Sequence, residues 1–233
     1  MNVKKLIAFD LDNTLAALGK GMLDEDLIRL RKLEAAGARI AIVSGKPTYY
    51  LCGFMRQVEI EKPVLVGENG AVIQFGVDLP PRDFYVQPYS EDAKRSLKLL
   101  HQKIDEALPH LWYQPNMVGL TPFPTTDQEF AIINRIIDEN RADLKDILVY
   151  QHCDSFDITP CGINKFTGLE ELGKLLGIPA EDTIAVGDGV NDYPMFEYAG
   201  HSVGVNVAEP DKVDVVFTTA ADALDYLIRL VQE

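Results

Sequence analysis

Short apolar runs in this chain end abruptly in acids, hydroxyls and glycines. Leu6-Ile7-Ala8-Phe9 has no turn former, the pattern of a strand buried on both faces, and it runs straight into Asp10-Leu11-Asp12. From Asp24 to Ala36, Leu27, Ile28, Leu30 and Leu33 are interleaved with charged residues, and Gly37 stops the helix they predict. A second apolar run, Arg39 to Val43, ends in Ser44-Gly45. Strand, helix and strand make a βαβ unit, which implies a parallel sheet, and parallel strands end on one edge. Ser44 should therefore arrive beside Asp10, at the edge where ligands bind in open α/β folds. Pro47 suits the first turn of a helix reaching Val58, Pro63 to Gly67 reads as a third strand, and Glu68-Asn69-Gly70 turns the chain into a returning strand, Ala71 to Phe75.

Asp78-Leu79-Pro80-Pro81 breaks this rhythm, and two prolines in series make a stiff connector. Residues 81–159 are expected to form a separate α+β unit: strand Phe84 to Gln87, helix Ser90 to Leu108, strands within Leu111 to Leu120, helix Thr126 to Arg141 and strands within Ile147 to Thr159. The α/β pattern then resumes. Asn164-Lys165 precedes a helix from Phe166 to Leu176, and the buried run Thr183 to Val186 enters Gly187-Asp188-Gly189-Val190-Asn191-Asp192, a tight turn with acids on its lip. His201 to Val205, Val215 to Thr218 and a helix from Ala221 to Val231 complete it. The expected fold is α/β, a Rossmann-like parallel-sheet core of residues 1–80 and 160–233 with an inserted domain of residues 81–159.

Composition narrows the function. Of 233 residues 47% are hydrophobic and 25% charged, ordinary for a soluble globular chain, and no apolar run approaches a membrane span. Met1 to Lys5 leads into a strand that ends in acid, unlike a signal peptide, so a cytoplasmic location is expected. A net charge of −14 lacks the basic footprint that nucleic acid or an anionic membrane requires. A small anion could still bind through local cations or backbone N–H groups. Cys52, Cys153 and Cys161 are too few and too scattered for a disulfide framework or a zinc site, and are expected reduced and structural. Nothing in the chain specifies an oligomeric state.

The chemistry lies in the acids. Asp12-Asn13 could be no more than a turn with Asp10 as a cap, but two carboxylates pushed from the end of a core strand resist joint ionisation unless a cation or a proton lies between them. Gathered at one sheet edge, Asp10, Asp188 and Asp192 make a hard, all-oxygen cation site suited to magnesium. With a phosphate ester bound, Asp10 is placed to attack phosphorus, and Asp12 to protonate the leaving oxygen and then deprotonate water. Ser44, Lys165 and loop N–H groups would hold the phosphoryl oxygens. In the insert, one alternating face collects Tyr85, Gln87, Trp112, Gln114, Asn116, Tyr150 and His152. Individually these read as core or solvated residues; together they suit a polyhydroxylated or other polar, uncharged group.

The succession Asp10-Leu11-Asp12-Asn13-Thr14, Ser44-Gly45-Lys46, Lys165 before a helix and Gly187-Asp188-Gly189-Val190-Asn191-Asp192 resembles the haloacid dehalogenase superfamily of phosphatases in order and spacing. The position of the insert is similar to the branch with a C2-type α/β cap, the Cof-like and sucrose-phosphatase-like group, and its compactness to archaeal-type phosphoglycolate phosphatases. The resemblance implies nucleophile Asp10, acid/base Asp12, and magnesium on Asp10, the Asp12 carbonyl and Asp188, with Asp192 as a ligand or just behind. It implies phosphate held by Ser44, Lys165 and the N–H groups of Leu11 and Asp12, with Gly45 and Asn191 alongside. Many members of that branch have glycine and arginine where this chain has Asn13 and Lys46; lysine cannot make arginine's bidentate contact, so substrate orientation there should differ.

These features lead to a magnesium-dependent hydrolase of a small-molecule phosphate ester, a sugar phosphate or phosphoglycolate. Arg82 is the cation near the insert strands that could meet a substrate carboxylate. A phosphomutase would use the same aspartyl-phosphate chemistry, and a phosphoacceptor signalling module the same Asp, Ser and Lys. Against the module stand Asp12, poised to hydrolyse the acyl-phosphate, and an insert that a bare switch does not need.

Overall fold

The computed structural model describes residues 5–232, so the leader reading of Met1 to Lys4 lies outside the described residues. The chain divides into two compact units, one formed by residues up to Tyr85 with those from Asn164 on, the other by Val86–Ile163. The first contains β1 (Lys5–Phe9), α1 (Asp24–Ala35), β2 (Ala38–Val43), α2 (Thr48–Val58), β3 (Val64–Gly67), β4 (Val72–Phe75) and β5 (Phe84–Val86), whose last residue opens the insert. The insert holds α3 (Glu91–Ala107), β6 (Trp112–Gln114), β7 (Thr121–Phe123), α4 (Asp127–Glu139), β8 (Ile147–Gln151) and β9 (Phe156–Pro160). The first unit resumes with α5 (Lys165–Leu176), β10 (Thr183–Gly187), α6 (Tyr193–Tyr198), β11 (His201–Val205), β12 (Val215–Phe217) and α7 (Ala220–Gln232).

Its sheet runs β12-β11-β10-β1-β2-β3-β4-β5, parallel from β12 to β3, with β4 antiparallel to β3. The central strands β1, β2, β3 and β10 are largely apolar because both faces are covered, and the two-residue repeat of a strand sorts the side chains between them. Ile7, Phe9, Ile40, Ile42, Ile184 and Val186 join one core with Leu30 and Leu33 of α1, Leu51 and Met55 of α2, and Leu224 and Leu227 of α7. Leu6, Ala8, Ala41, Val43 and Ala185 face the other way, against Leu169 and Leu172 of α5 and Met195 and Phe196 of α6. Alanines on that second face leave room for α5 to approach closely.

Two glycines carry the closest approach. A Cβ on Gly168, in the first turn of α5, would lie 2.6 Å from the Gly70 Cα, and one on Gly70 would lie 2.3 Å from the Asn164 carbonyl oxygen. Gly70 also has φ +109°, which side chains avoid. The N-terminus of α5 is thus pressed backbone to backbone on the turn after β3.

The insert buries Leu97, Leu100 and Ile104 of α3 and Ile133, Ile136 and Ile137 of α4 against Leu120, Phe156 and Ile158. β6 pairs antiparallel with β7 and β8 with β9, and reciprocal Leu120–Ile158 backbone bonds of 2.9 and 3.0 Å join the two hairpins. Three expectations change. The strand at Phe84 to Gln87, assigned to the insert, is an edge strand of the large sheet, so the first unit extends to Tyr85 rather than to residue 80. Leu111 to Leu120 holds only β6, because the return strand begins at Thr121. The six-residue α6 was not foreseen; one and a half turns are too short for a periodic signal.

All three cysteines are free thiols; Cys52 is buried, whereas Cys153 and Cys161 are exposed, so only Cys52 has a packing role. Among the described residues, no helix is long and apolar enough to cross a membrane.

Candidate active site

Asp10 continues β1 past its last paired residue: its amide donates to the Val186 carbonyl at 2.8 Å, holding the residue against β10 while the side chain stays 4% exposed. The next residues curl tightly. The Leu15 and Ala16 amides both donate to the Leu11 carbonyl, the Asn13 amide donates to the Ala16 carbonyl at 2.6 Å, and Asn13 adopts φ 64°. Asn tolerates this left-handed conformation, so the residue that departs from glycine fits here. The curl returns Thr14 to the start of the loop, with its buried hydroxyl 3.1 Å from Asp188 Oδ1 and 3.4 Å from Asp10 Oδ2. One hydroxyl proton serves one acceptor at a time, and Asp188 is the nearer. Sequence reading gave Thr14 no role; its place four residues after Asp10 in a tight loop was the available signal.

Lys165 is the first residue of α5. Asn164 caps that helix, its Oδ1 accepting from the Thr167 amide at 3.0 Å while the Asn164 amide donates to Thr167 Oγ1 at 3.1 Å. With its helix fixed by this cap and by the Gly70–Gly168 contact, Lys165 is 1% exposed and donates to Asp10 Oδ1 at 2.7 Å and Asp192 Oδ1 at 2.5 Å. The other Asp192 oxygen accepts from the amides of Asp188 and Gly189 at 2.9 and 3.0 Å. Gly187 makes room for this, since a Cβ there would lie 2.5 Å from Asp192 Oδ2. Residues from three distant segments are thereby drawn into one buried cluster.

Its charges do not cancel. Asp10, Asp188 and Asp192 surround one ammonium. Burial pushes Asp10 up to about 6, against the pull of Lys165 and with help from Asp192 and Asp188. Burial and the neighbouring Asp192 also raise Asp188. Burial alone would lower Lys165, but Asp10 and Asp192 outweigh it and hold the ammonium above its ordinary value. The three carboxylates offer oxygens within 4.8 Å of one another, a hard donor set with surplus negative charge, which fits a divalent cation of the magnesium type. Asp10 and Asp188 are its natural donors. Asp192, expected as a ligand or just behind, already has both oxygens engaged by Lys165 and two amides.

Ser44 leaves β2 beside this cluster. Its amide donates to the Val66 carbonyl at 2.9 Å and it is 3% exposed. Glu68 and Asn69, read from sequence only as turn chemistry, prove to brace it. The Asn69 amide donates to the Ser44 carbonyl, the Glu68 amide donates to the Lys46 carbonyl, and both residues have positive φ, 55° and 53°. A Cβ on Gly45 would lie 3.2 Å from Asn69 Oδ1. Lys46 Nζ stands 3.9 Å from Asp12 Oδ2. Leu11 is buried beneath the loop, and Asn191 is exposed on the β10 turn, its Oδ1 over Gly189.

The specificity candidates fare differently. Tyr85 packs with the core cluster that contains Leu169 and Leu172 rather than on an insert face, because β5 belongs to the large sheet. Arg82, 86% exposed in its side chain, is paired with Asp78 at 3.0 Å. Within the insert, Trp112 is exposed and stacks edge-on against Phe123. Asn116 and His152 belong to one polar chain. Gln114 donates to Asn116 Oδ1 at 2.8 Å, Asn116 to Thr121 Oγ1 at 3.0 Å, Thr121 to Asp157 Oδ1 at 3.1 Å, and His152 Nε2 lies 3.3 Å from Asp157 Oδ2. Thr121 and Asp157 were not singled out in sequence, since neither marks a motif.

The family model for haloacid dehalogenase-like hydrolases matches residues 7–103 and 120–216. The chain belongs to this family. Among its members, the phosphoglycolate phosphatase of Nitrosopumilus maritimus is 29% identical over 97% of this chain and 94% of its own length. The 5-amino-6-(5-phospho-D-ribitylamino)uracil phosphatase of Bacillus subtilis is 24% identical over 98% of this chain and 96% of its own. A haloacid dehalogenase-like hydrolase of Bacteroides thetaiotaomicron has the same fold, with a TM-score of 0.79 over 97% of this chain and 99% of that one at 19% identity. Membership in the hydrolase family and the buried Asp10–Lys165–Asp192 cluster point to the same chemistry.

Proposed function

We propose that the protein hydrolyses small phosphate monoesters through an aspartyl-phosphate formed on Asp10, with magnesium as its cation. The observation that carries this reading is the convergence on one buried point of Asp10 with Lys165, Asp188 and Asp192, which lie 155 residues or more further along the chain. Asp10 attacks phosphorus as the ester oxygen departs. Asp12, two residues on and less buried, gives that oxygen its proton and later takes one from water, which cleaves the acyl-phosphate and restores Asp10. Lys165 orients the Asp10 carboxylate and keeps a third N–H for a phosphoryl oxygen, joined by the Ser44 hydroxyl and the loop amides of Leu11 and Asp12. Asp192 holds Lys165 and the β10 turn in register, and Thr14 steadies Asp188. Magnesium on Asp10 and Asp188, when bound, supplies the positive charge that lets a phosphate dianion approach these acids. The unit Val86–Ile163 serves as the cap in this reading. The relatives' names offer two leaving groups to compare, an acid and a polyol.

The test is release of inorganic phosphate from a panel of phosphorylated acids and sugars with magnesium. Turnover of at least one ester is expected, and Asp10→Asn should lower it on the order of 10⁴-fold or more while leaving the circular dichroism spectrum unchanged. An Asp10→Asn protein with wild-type turnover would contradict the covalent route.

A further inference from the structure

The two lysines of the site differ in what they have left to give. Lys165 is buried and holds two carboxylates at hydrogen-bond distance. Lys46 is about one-third exposed in its side chain, and Asp12 is 3.9 Å away, an electrostatic contact beyond hydrogen-bond range. Its backbone is pinned: the Lys46 amide donates to Ser44 Oγ at 3.2 Å and its carbonyl accepts from the Glu68 amide at 3.0 Å. Gly67 lets the strand pass closely, since a Cβ there would lie 2.9 Å from the Lys46 carbonyl oxygen. The root of the side chain is therefore fixed, and its ammonium lies at Asp12 on one side and 5.9 Å from the centre of the Tyr50 ring on the other.

Resting on the phosphatase reading, we propose that Lys46 is a specificity-determining residue that selects leaving groups carrying a carboxylate or another anion a few bonds from the ester oxygen. In the proposed mechanism Asp12 meets the ester oxygen, so an ammonium 3.9 Å from its carboxylate is within reach of a group a few bonds from that oxygen. Three N–H groups, with no acceptor within hydrogen-bond distance among the described residues, leave it able to bind a carboxylate there. The chain has a net charge of −14, so an ester bearing an extra negative charge needs such a local cation to approach at all. Arg82, the alternative cation from the sequence, is already paired with Asp78 and mostly in solvent.

The experiment compares phosphoglycolate, ethyl phosphate and phosphoethanolamine as substrates of the wild type, Lys46→Met and Lys46→Glu, all with magnesium, by phosphate release. The ratio of kcat/KM for phosphoglycolate over ethyl phosphate should fall about 10- to 100-fold in Lys46→Met, the range expected for one charge-assisted contact. In Lys46→Glu the order of phosphoglycolate and phosphoethanolamine should reverse. If both variants lose all three esters in equal proportion, or if the ratios do not move, the assignment fails while the phosphatase reading stands. A wild type that releases phosphate from none of the three but turns over a phosphorylated sugar overturns this assignment alone, and one that turns over no ester of the wider panel overturns the phosphatase reading as well.

Discussion

Two polar networks in this protein show how differently a fold can hold charged and hydrogen-bonding groups. In the first unit Lys165, Asp10 and Asp192 are almost entirely buried, the lysine holds the two carboxylates at 2.7 and 2.5 Å, and the backbone around them is fixed by caps and by glycine contacts. In the insert Gln114, Asn116, Thr121, Asp157 and His152 form a longer chain of contacts, from 2.8 to 3.3 Å, with His152 about half exposed. Low dielectric makes the first cluster all-or-nothing, because a buried charge that loses its partner has no water to turn to. Water can replace the outer links of the second, at His152 and Asp157.

The sharpest way to break that contrast is Lys165→Met. Two buried carboxylates then lose their shared cation, and the expected loss of stability is about 3–5 kcal/mol by urea denaturation of the metal-free protein. The pH dependence follows from Asp10. Burial already lifts it to about 6, well above the roughly 3.9 of an unfolded aspartate, and without the ammonium it titrates higher still. A carboxylate raised in the folded state contributes its full stability at low pH, where both states are protonated and no charge is buried, and this advantage is lost as pH rises from the unfolded value through the folded one. The deficit of Lys165→Met should thus be largest near pH 8 and shrink toward pH 5. A pH-independent deficit would mean that the carboxylates are not buried as charges.

The contrast also marks what could be read in the chain. Asp10, Ser44 and Asp188 were legible because each lies where an apolar strand run stops, and parallel strands must stop on one edge; Lys165 was legible as the residue that opens a helix. The side of the sheet on which each helix lies was not, since a strand buried on both faces has no polar face to break the symmetry. The bracing by Glu68 and Asn69, and the closeness of Gly168 to Gly70, arise from contacts between segments and leave no mark on local pattern. Tyr85 was misplaced for a related reason: after Pro80-Pro81 a three-residue strand could pair with either unit, and only tertiary structure chose the large sheet. In the insert the Thr121–Asp157 link crosses between two hairpins, which sequence spacing does not reveal.

Gly168→Ala is the next largest effect expected. The new methyl would meet the Gly70 Cα at 2.6 Å, backbone that cannot swing aside, so α5 must shift and carry Lys165 with it. Stability should fall by about 1–3 kcal/mol, and kcat by more than the loss of folded protein explains, because small misplacements of catalytic groups are disproportionately damaging. Gly53→Ala is the control: in the middle of α2, with open space around its Cα, it should gain about 0.4–1 kcal/mol. If both alanines behave alike, the close approach of α5 does not position the lysine.

Thr121→Val tests the insert and should have the smallest effect. The substitution keeps the shape of a buried residue and removes one hydroxyl that joins Asn116 to Asp157. About 1–2 kcal/mol is expected in thermal or urea unfolding, the worth of a hydrogen bond from a buried hydroxyl to a partly exposed carboxylate. His152 reads the same network from its exposed end. Its pKa is raised chiefly by the hydrogen bond to Asp157, against the opposing effect of burial, so the imidazole titration followed by NMR should stay above the ordinary histidine value in Thr121→Val and fall back in Asp157→Asn. Because the two residues share one hydrogen bond, the two substitutions together should cost slightly less than the sum of each alone, by no more than about 1 kcal/mol. Strong coupling between them would show instead that the insert network is held as tightly as the buried one, and that exposure at His152 does not make its links separable.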